Sequence, residues 1–167
     1  MANNFLEQLV AEWYELQGFF VRRNVLVGPR ARGGYESELD VVAFHPGRGE
    51  VVHIEPSMDS SKWDERERRY ANKFAAGRKY IPSLFHGVSD KHTIRQIAIL
   101  VYGGRGNRRT LGGGELIFAD ALFVEIMNDV KTRSIHKAMV PEQYPLLLTL
   151  QFVAEYRTVI VDALRER

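Results

Sequence analysis

The sequence predicts an α/β fold in which a central mixed sheet is flanked by helices. Three observations carry this. Apolar residues recur at helical spacing up to Gln17, again after Ser60, and twice more in the C-terminal third. Between them lie runs rich in β-branched and aromatic residues, Phe19–Val27, Leu39–Phe44, Val51–Ile54 and Arg95–Tyr102. The resulting order of helix, three strands, helix, two strands and two helices sets a mixed sheet between helical layers.

A chain of 167 residues is long enough for a sizeable core and is expected to form a single domain. Hydrophobic content of 45% and charged content of 26% are average for a soluble globular protein, which argues against disorder. There is no cysteine, so disulfides and thiolate metal sites are excluded. That suits a reducing compartment, and a cytoplasmic protein is expected. The opening MANNFLEQLV lacks the basic-then-apolar order of a signal peptide, and no apolar run approaches membrane length. A formal net charge of +2 decides little about partners; the clustering of the charges matters more.

Asn3 or Asn4 can cap a first helix to about Gln17, with Phe5, Leu6, Leu9, Trp13 and Leu16 at helical spacing and Gly18 as its stop. Glu7 and Glu12 lie on it. The strand Phe19–Val27 follows, then a basic, glycine-containing loop, Gly28–Tyr35. The stretch ESELDVVAFHPGRGEVVHIEPS reads as a β-hairpin turning at Pro46–Gly49. That turn sets Phe44 opposite Val51, Val42 opposite His53 and Asp40 opposite Glu55. Directly opposed residues have Cβ atoms about 5 Å apart and like charges there repel, so the hairpin calls for a cation between the two carboxylates. A slip of one residue would send Glu55 to the far face.

Ser60–Gly77 is expected as a helix, capped by Ser60 or Ser61 and stopped by Gly77. Trp63, Tyr70 and Phe74 form its packing face, while Lys62, Arg66, Arg69 and Lys73 form a purely basic stripe. Such a stripe is ordinarily a solvated face, but this one directly follows the acidic hairpin. Ile81–Thr93 reads as loop and Arg95–Tyr102 as a buried strand. Gly103–Gly114 packs six glycines and three arginines into twelve residues and is expected to be mobile, as a flap over a polyanion or as a bare linker. Glu115–Ala119 is a short strand, and Asp120 caps a helix to about Arg133. A last helix, about Glu142 to Arg165, is apolar on more than one side, which implies deep burial or a homodimer contact.

Together these residues resemble the PD-(D/E)XK, or restriction endonuclease-like, nuclease superfamily, over roughly Phe5–Tyr102. The resemblance implies an αβββαβ core carrying extra C-terminal helices. The opening LEQLVAEWYELQGFFV looks like the helix-Gly-strand start of Mrr-type enzymes and archaeal junction resolvases, in which a helix glutamate joins the metal site; Glu7 holds that place. ESELDVVAF resembles the strand with the metal-binding aspartate, here Asp40. VVHIEPS resembles the strand with (D/E)-X-K, making Glu55 the acid and Pro56 the X residue. Where the motif has lysine, this chain has Ser57, and a hydroxyl cannot stabilise developing phosphorane charge as an ammonium does. Either the lysine has moved to the next helix, with Lys62 and Lys73 as candidates, or the site has decayed into a nucleic-acid-binding or interaction module.

The implied chemistry is phosphodiester hydrolysis with Mg²⁺ or Mn²⁺, which hard carboxylate oxygens such as those of Asp40 and Glu55 favour. The Pro56 carbonyl is a further candidate ligand, since proline lacks only its donor. As ordinary residues, Asp40 would bond a nearby loop and Glu55 would pair with Arg66 or Lys62. His45 and His53 lack a second histidine at ligand spacing, so turn and surface roles are expected of them. Ser57 is expected at the helix entry. The expected partner is nucleic acid, DNA first, with Arg30, Arg32, Lys62, Arg66, Arg69, Lys73, Arg105, Arg108 and Arg109 as candidate phosphate contacts.

Overall fold

In the computed structural model, which describes residues 4–88, 92–104 and 106–165, the Asn4 side chain accepts a hydrogen bond from the Leu6 amide at 3.1 Å. It thereby caps α1, Phe5–Leu16. Gly18, at φ +87°, turns the chain out of the helix. Three strands follow, β1 Phe20–Pro29, β2 Tyr35–His45 and β3 Glu50–Ser57, then α2, Trp63–Tyr80, and β4, Ile94–Leu100. Two further strands, β5 Thr110–Leu111 and β6 Gly114–Phe118, complete a six-stranded sheet of order β1-β2-β3-β4-β6-β5. The β1–β2, β2–β3 and β5–β6 pairs are antiparallel, and β3–β4 and β4–β6 are parallel. The architecture is therefore α/β, a mixed sheet with helices packed on it.

The hairpin register follows the turn length, with Phe44 opposite Val51 and Val42 opposite His53. From Val51 to Pro56 every residue of β3 is buried. That is the mark of a central strand covered on both faces rather than one face open to water.

Several expectations are corrected. The second helix begins after Lys62, not at Ser60 or Ser61, and runs through Gly77 to Tyr80. Gly77 serves close approach instead of termination: a Cβ there would overlap the His53 ring beneath it. Helix propensity alone says that Gly77→Ala stabilises by about 1 kcal/mol. The packing reverses the sign, and the variant should lose about 1–2 kcal/mol in urea unfolding. A variant more stable than the parent would show that the ring yields freely.

The glycine-rich stretch is not loop throughout. Its second half forms β5 and a turn whose Gly112 amide donates to Glu67 Oε1 at 3.0 Å. Gly112 has φ +59°, and a Cβ there would strike the α2 backbone at Tyr70 and Ala71. Contact with a helix backbone, which cannot move aside, holds this end of the stretch in place.

The contacts divide the chain into two compact units, Met1–Ala119 and Asp120–Arg167. The expected last helix is two, α5 Pro145–Glu155 and α6 Arg157–Arg165, preceded by α3 Ala119–Val130 and α4 Ile135–Ala138. The break falls at Tyr156, which leaves helical geometry at ψ 20°, just before the β-branched run Thr158–Val161 of low helix propensity. Buried Gln151 on α5 organises this unit. It accepts from the Val140 amide at 2.8 Å and donates to the carbonyls of Arg133 and Ala138, each at 3.1 Å. Of the two alternatives for this run, burial holds in part for α5, which buries Leu147, Gln151 and Ala154, and not for α6, which buries no residue among those described, with Val159 and Leu164 70% and 67% exposed. No helix among the described residues is long and apolar enough to cross a membrane.

Candidate active site

Asp40 and Glu55 meet across the β2–β3 ladder, where the Asp40 amide donates to Glu55 Oε1 at 3.2 Å. The cation that such a pair calls for comes from α2. Lys73 Nζ donates to Asp40 Oδ1 at 2.6 Å and to Glu55 Oε2. Lys73 reaches the pair because Tyr70 and Phe74, both buried, seat α2 on the sheet and turn the residue between them towards the hairpin. Glu55 is 1% exposed, so its charge is almost wholly compensated by protein groups.

The electrostatics follow from burial. Desolvation, then the charge of Glu55 and a hydrogen bond with it, push the Asp40 carboxyl up to about 7, with Lys73 offsetting only part. Burial by itself would push Lys73 down, but Glu55 and Asp40 outweigh it and hold the ammonium above its ordinary range. On α1, half-buried Glu7 is raised by burial first and then by the charge of Asp40, while Lys73 pulls it down. Its carboxyl therefore feels the same cluster. Among the described residues no three His, Asp or Glu side chains are grouped closely enough to hold a metal ion by themselves.

One member of the site falls outside the sequence expectations. His53, assigned a surface or turn role, is fully buried, with Nε2 2.7 Å from Glu55 Oε1. Gln96 on β4 supports the ring: its amide nitrogen lies 3.2 Å from His53 Nδ1 and donates to the Phe74 carbonyl at 2.8 Å. The signal for His53 was the strand period of two, which puts residues 53 and 55 on one face.

The remaining candidates scatter. Ser57, in the motif's lysine position, donates its hydroxyl to Asp59 Oδ2 at 2.6 Å and builds the entry to α2. Asp59 also binds Arg69 and accepts from the Ser61 amide at 2.9 Å. Burial alone would raise its pKa, but the Ser57 hydrogen bond and these partners hold it far below the usual carboxylate range. The basic stripe is thus largely turned inward: Arg66 is buried, Arg69 pairs with Asp59, Lys73 enters the acidic pair, and only Lys62 stays exposed. Arg30 and Arg32 are exposed on the β1–β2 turn, and Arg108 and Arg109 are exposed beyond β4, Arg108 lying over the Trp63 ring at 4.6 Å. Arg105 lies outside the described residues. Pro56 is buried on β3 beside β4. An open groove of about 440 Å³, lined by Glu36, Ser37, Arg69, Asn72, Lys73 and Lys79 among others, leads to the Lys73 side chain.

The shifted groups set an expected pH dependence. An acid raised from 3.8 to about 7 makes the fold less stable as pH rises between those values. Burial first, then the charge of Lys73, lowers His53 from 6.5 to about 3, so the fold gains stability as pH rises between those values. Over the shared range the two oppose each other. Asp40→Asn removes only the first, so the stability of this variant relative to the parent should climb from about pH 4 to 7 and then level off. Urea unfolding at fixed pH values measures the difference; a flat line would mean that Asp40 titrates as an ordinary carboxylate.

A scan against protein-family models finds no match for this chain, and a search of curated proteins finds none either.

Proposed function

We propose that the protein is a divalent-metal-dependent nuclease that hydrolyses phosphodiester bonds of DNA, built on the restriction endonuclease-like plan. One observation carries the reading: Lys73 brings an ammonium from α2 to the paired Asp40 and Glu55 carboxylates, although the strand motif ends in Ser57. Nuclease chemistry of this class needs two acids and a cationic side chain at one point, and here they come together from three consecutive elements, β2, β3 and α2.

The donor set suits Mg²⁺ or Mn²⁺, which binds through one or two carboxylates and completes its shell with water and phosphate oxygens. Asp40 and Glu55 are the residues that would hold it, with the Pro56 carbonyl as a candidate third donor. When bound, such an ion would supply charge neutralisation at the scissile phosphate and an acidified water. Lys73 then orients the attacking oxygen and stabilises charge developing on the phosphate, as the motif lysine would. Glu7, on α1, is a further acid within electrostatic reach of Asp40 and Lys73. Of the candidate phosphate contacts, Lys62, Arg30, Arg32, Arg108 and Arg109 are exposed and available to a backbone-tracking polyanion.

A second reading is favoured by Ser57, which is engaged with Asp59 rather than with the acids. In it the Lys73 triad is a structural ion cluster inside a nucleic-acid-binding module that does not cleave. Supercoiled DNA incubated with the purified protein and Mn²⁺ or Mg²⁺ separates the two. Nicking that disappears in Asp40→Ala is the expected result. Salt-sensitive binding without turnover, unaffected by Glu55→Gln, would establish the second reading instead.

A further inference from the structure

Two residues before Glu55 on the same face of β3, His53 is held on every side. Its Nε2 lies 2.7 Å from Glu55 Oε1, and its Nδ1 lies 3.2 Å from the Gln96 amide nitrogen. Gln96 Oε1 in turn accepts from Arg78. With both amide hydrogens of Gln96 directed at acceptors, Nδ1 of the ring is the acceptor and Nε2 carries the proton. The Phe74 ring meets the imidazole edge-to-face at 5.4 Å. Gly77 stands where any side chain would displace it. A glycine inside a helix is unfavourable, so α2 gives up stability at the one position that admits this ring.

The two oxygens of Glu55 are consequently divided. Oε1 accepts from His53 and from the Asp40 amide, and Oε2 faces Lys73. We propose that His53 is a positioning residue, which clamps Glu55 through Oε1 so that Oε2 is presented, in one orientation, to the cation side of the site. The inference rests on the nuclease reading above. It concerns a group that touches neither substrate nor ion and acts only through Glu55, in the way that partners behind a ligating carboxylate fix its geometry.

The test contrasts two substitutions of similar size. His53→Gln keeps an N–H donor at about the place of Nε2, and His53→Met fills the same space with none. Mn²⁺ affinity, read by electron paramagnetic resonance, and DNA cleavage are measured for both, for the parent and for Asp40→Ala. His53→Met should weaken Mn²⁺ binding about 10- to 100-fold and lower kcat with little change in KM for DNA. His53→Gln should weaken both far less. Equal behaviour of the two variants would overturn the inference, since the ring would then matter only for packing. A parent that cleaves while both variants match it leaves the nuclease reading standing and removes the role of His53. A parent that binds Mn²⁺ without cleaving removes the nuclease reading, and the contrast in Mn²⁺ affinity still decides whether His53 clamps Glu55. A parent that neither binds nor cleaves removes both.

Discussion

Lys73→Met should sharply reduce DNA cleavage and destabilise the fold, and the loss of stability should grow with pH. The side chain is the only cation hydrogen-bonded to both Asp40 and Glu55 among the described contacts. Methionine preserves much of its apolar stem, so the change removes charge with little loss of packing. Two carboxylates, one of them fully buried, would then face each other uncompensated, at a cost of about 3 kcal/mol near pH 8. Because Asp40 is already raised to about 7, protonating it relieves the repulsion, and the penalty should shrink towards pH 5. Lys73 does not contribute to that slope. Its own pKa is held above the ordinary lysine value, so its stabilising effect is fully present through neutral pH and is lost only in strong alkali. Cleavage should fall about 100- to 1000-fold, the usual consequence of removing one donor that stabilises developing charge. Urea unfolding at pH 5 and pH 8 and single-turnover cleavage measure the two effects. A stable variant with normal cleavage would remove Lys73 from the site.

Arg66→Leu should cost about 3 kcal/mol of stability and leave the salt dependence of DNA binding unchanged. Read along the helix, Arg66 belongs to the basic stripe and suggests a phosphate contact. In the fold it is 2% exposed, donates to the Tyr102 carbonyl at 2.8 Å and to the Asp59 carbonyl at 2.6 Å, and lies over the Trp63 ring at 5.2 Å. Its Nε sits 3.5 Å from Asp59 Oδ1, an ion-pair distance without a hydrogen bond. The guanidinium thus ties the start of α2 to the chain leaving β4. Removing it takes the donor from two partly buried carbonyls and one of the two arginines from Asp59. A phosphate contact would behave differently: its loss lowers the slope of log affinity against log salt by about 1 and leaves folding intact. A lowered slope with unchanged unfolding would return Arg66 to the binding surface.

The comparison of these two residues shows how far the site was legible. Asp40 and Glu55 could be paired from the chain alone, because the short turn Pro46–Gly49 fixes the register and register fixes the face. The need for a cation followed from like charge. The choice narrowed to Lys62 and Lys73 but no further, since both lie on one helix stripe and differ only in their depth over the sheet. His53 was within reach of the same period-two argument but was set aside for want of a second histidine. Its partner is a carboxylate, and its support, Gln96, comes from a strand more than forty residues away.

By itself the sequence determined the α/β class, the run of three strands after the first helix, and the acidic hairpin, because these depend on local periodicity, turn chemistry and nearest-neighbour register. Only the tertiary structure decided that Lys73 enters the acidic pair, that Arg66 is buried, that Gly77 is a contact and not a stop, and that the C-terminal apolar run is two helices. Each of these turns on which element lies above a given side chain. That depends on packing between segments distant in the chain, and no spacing within one segment encodes it.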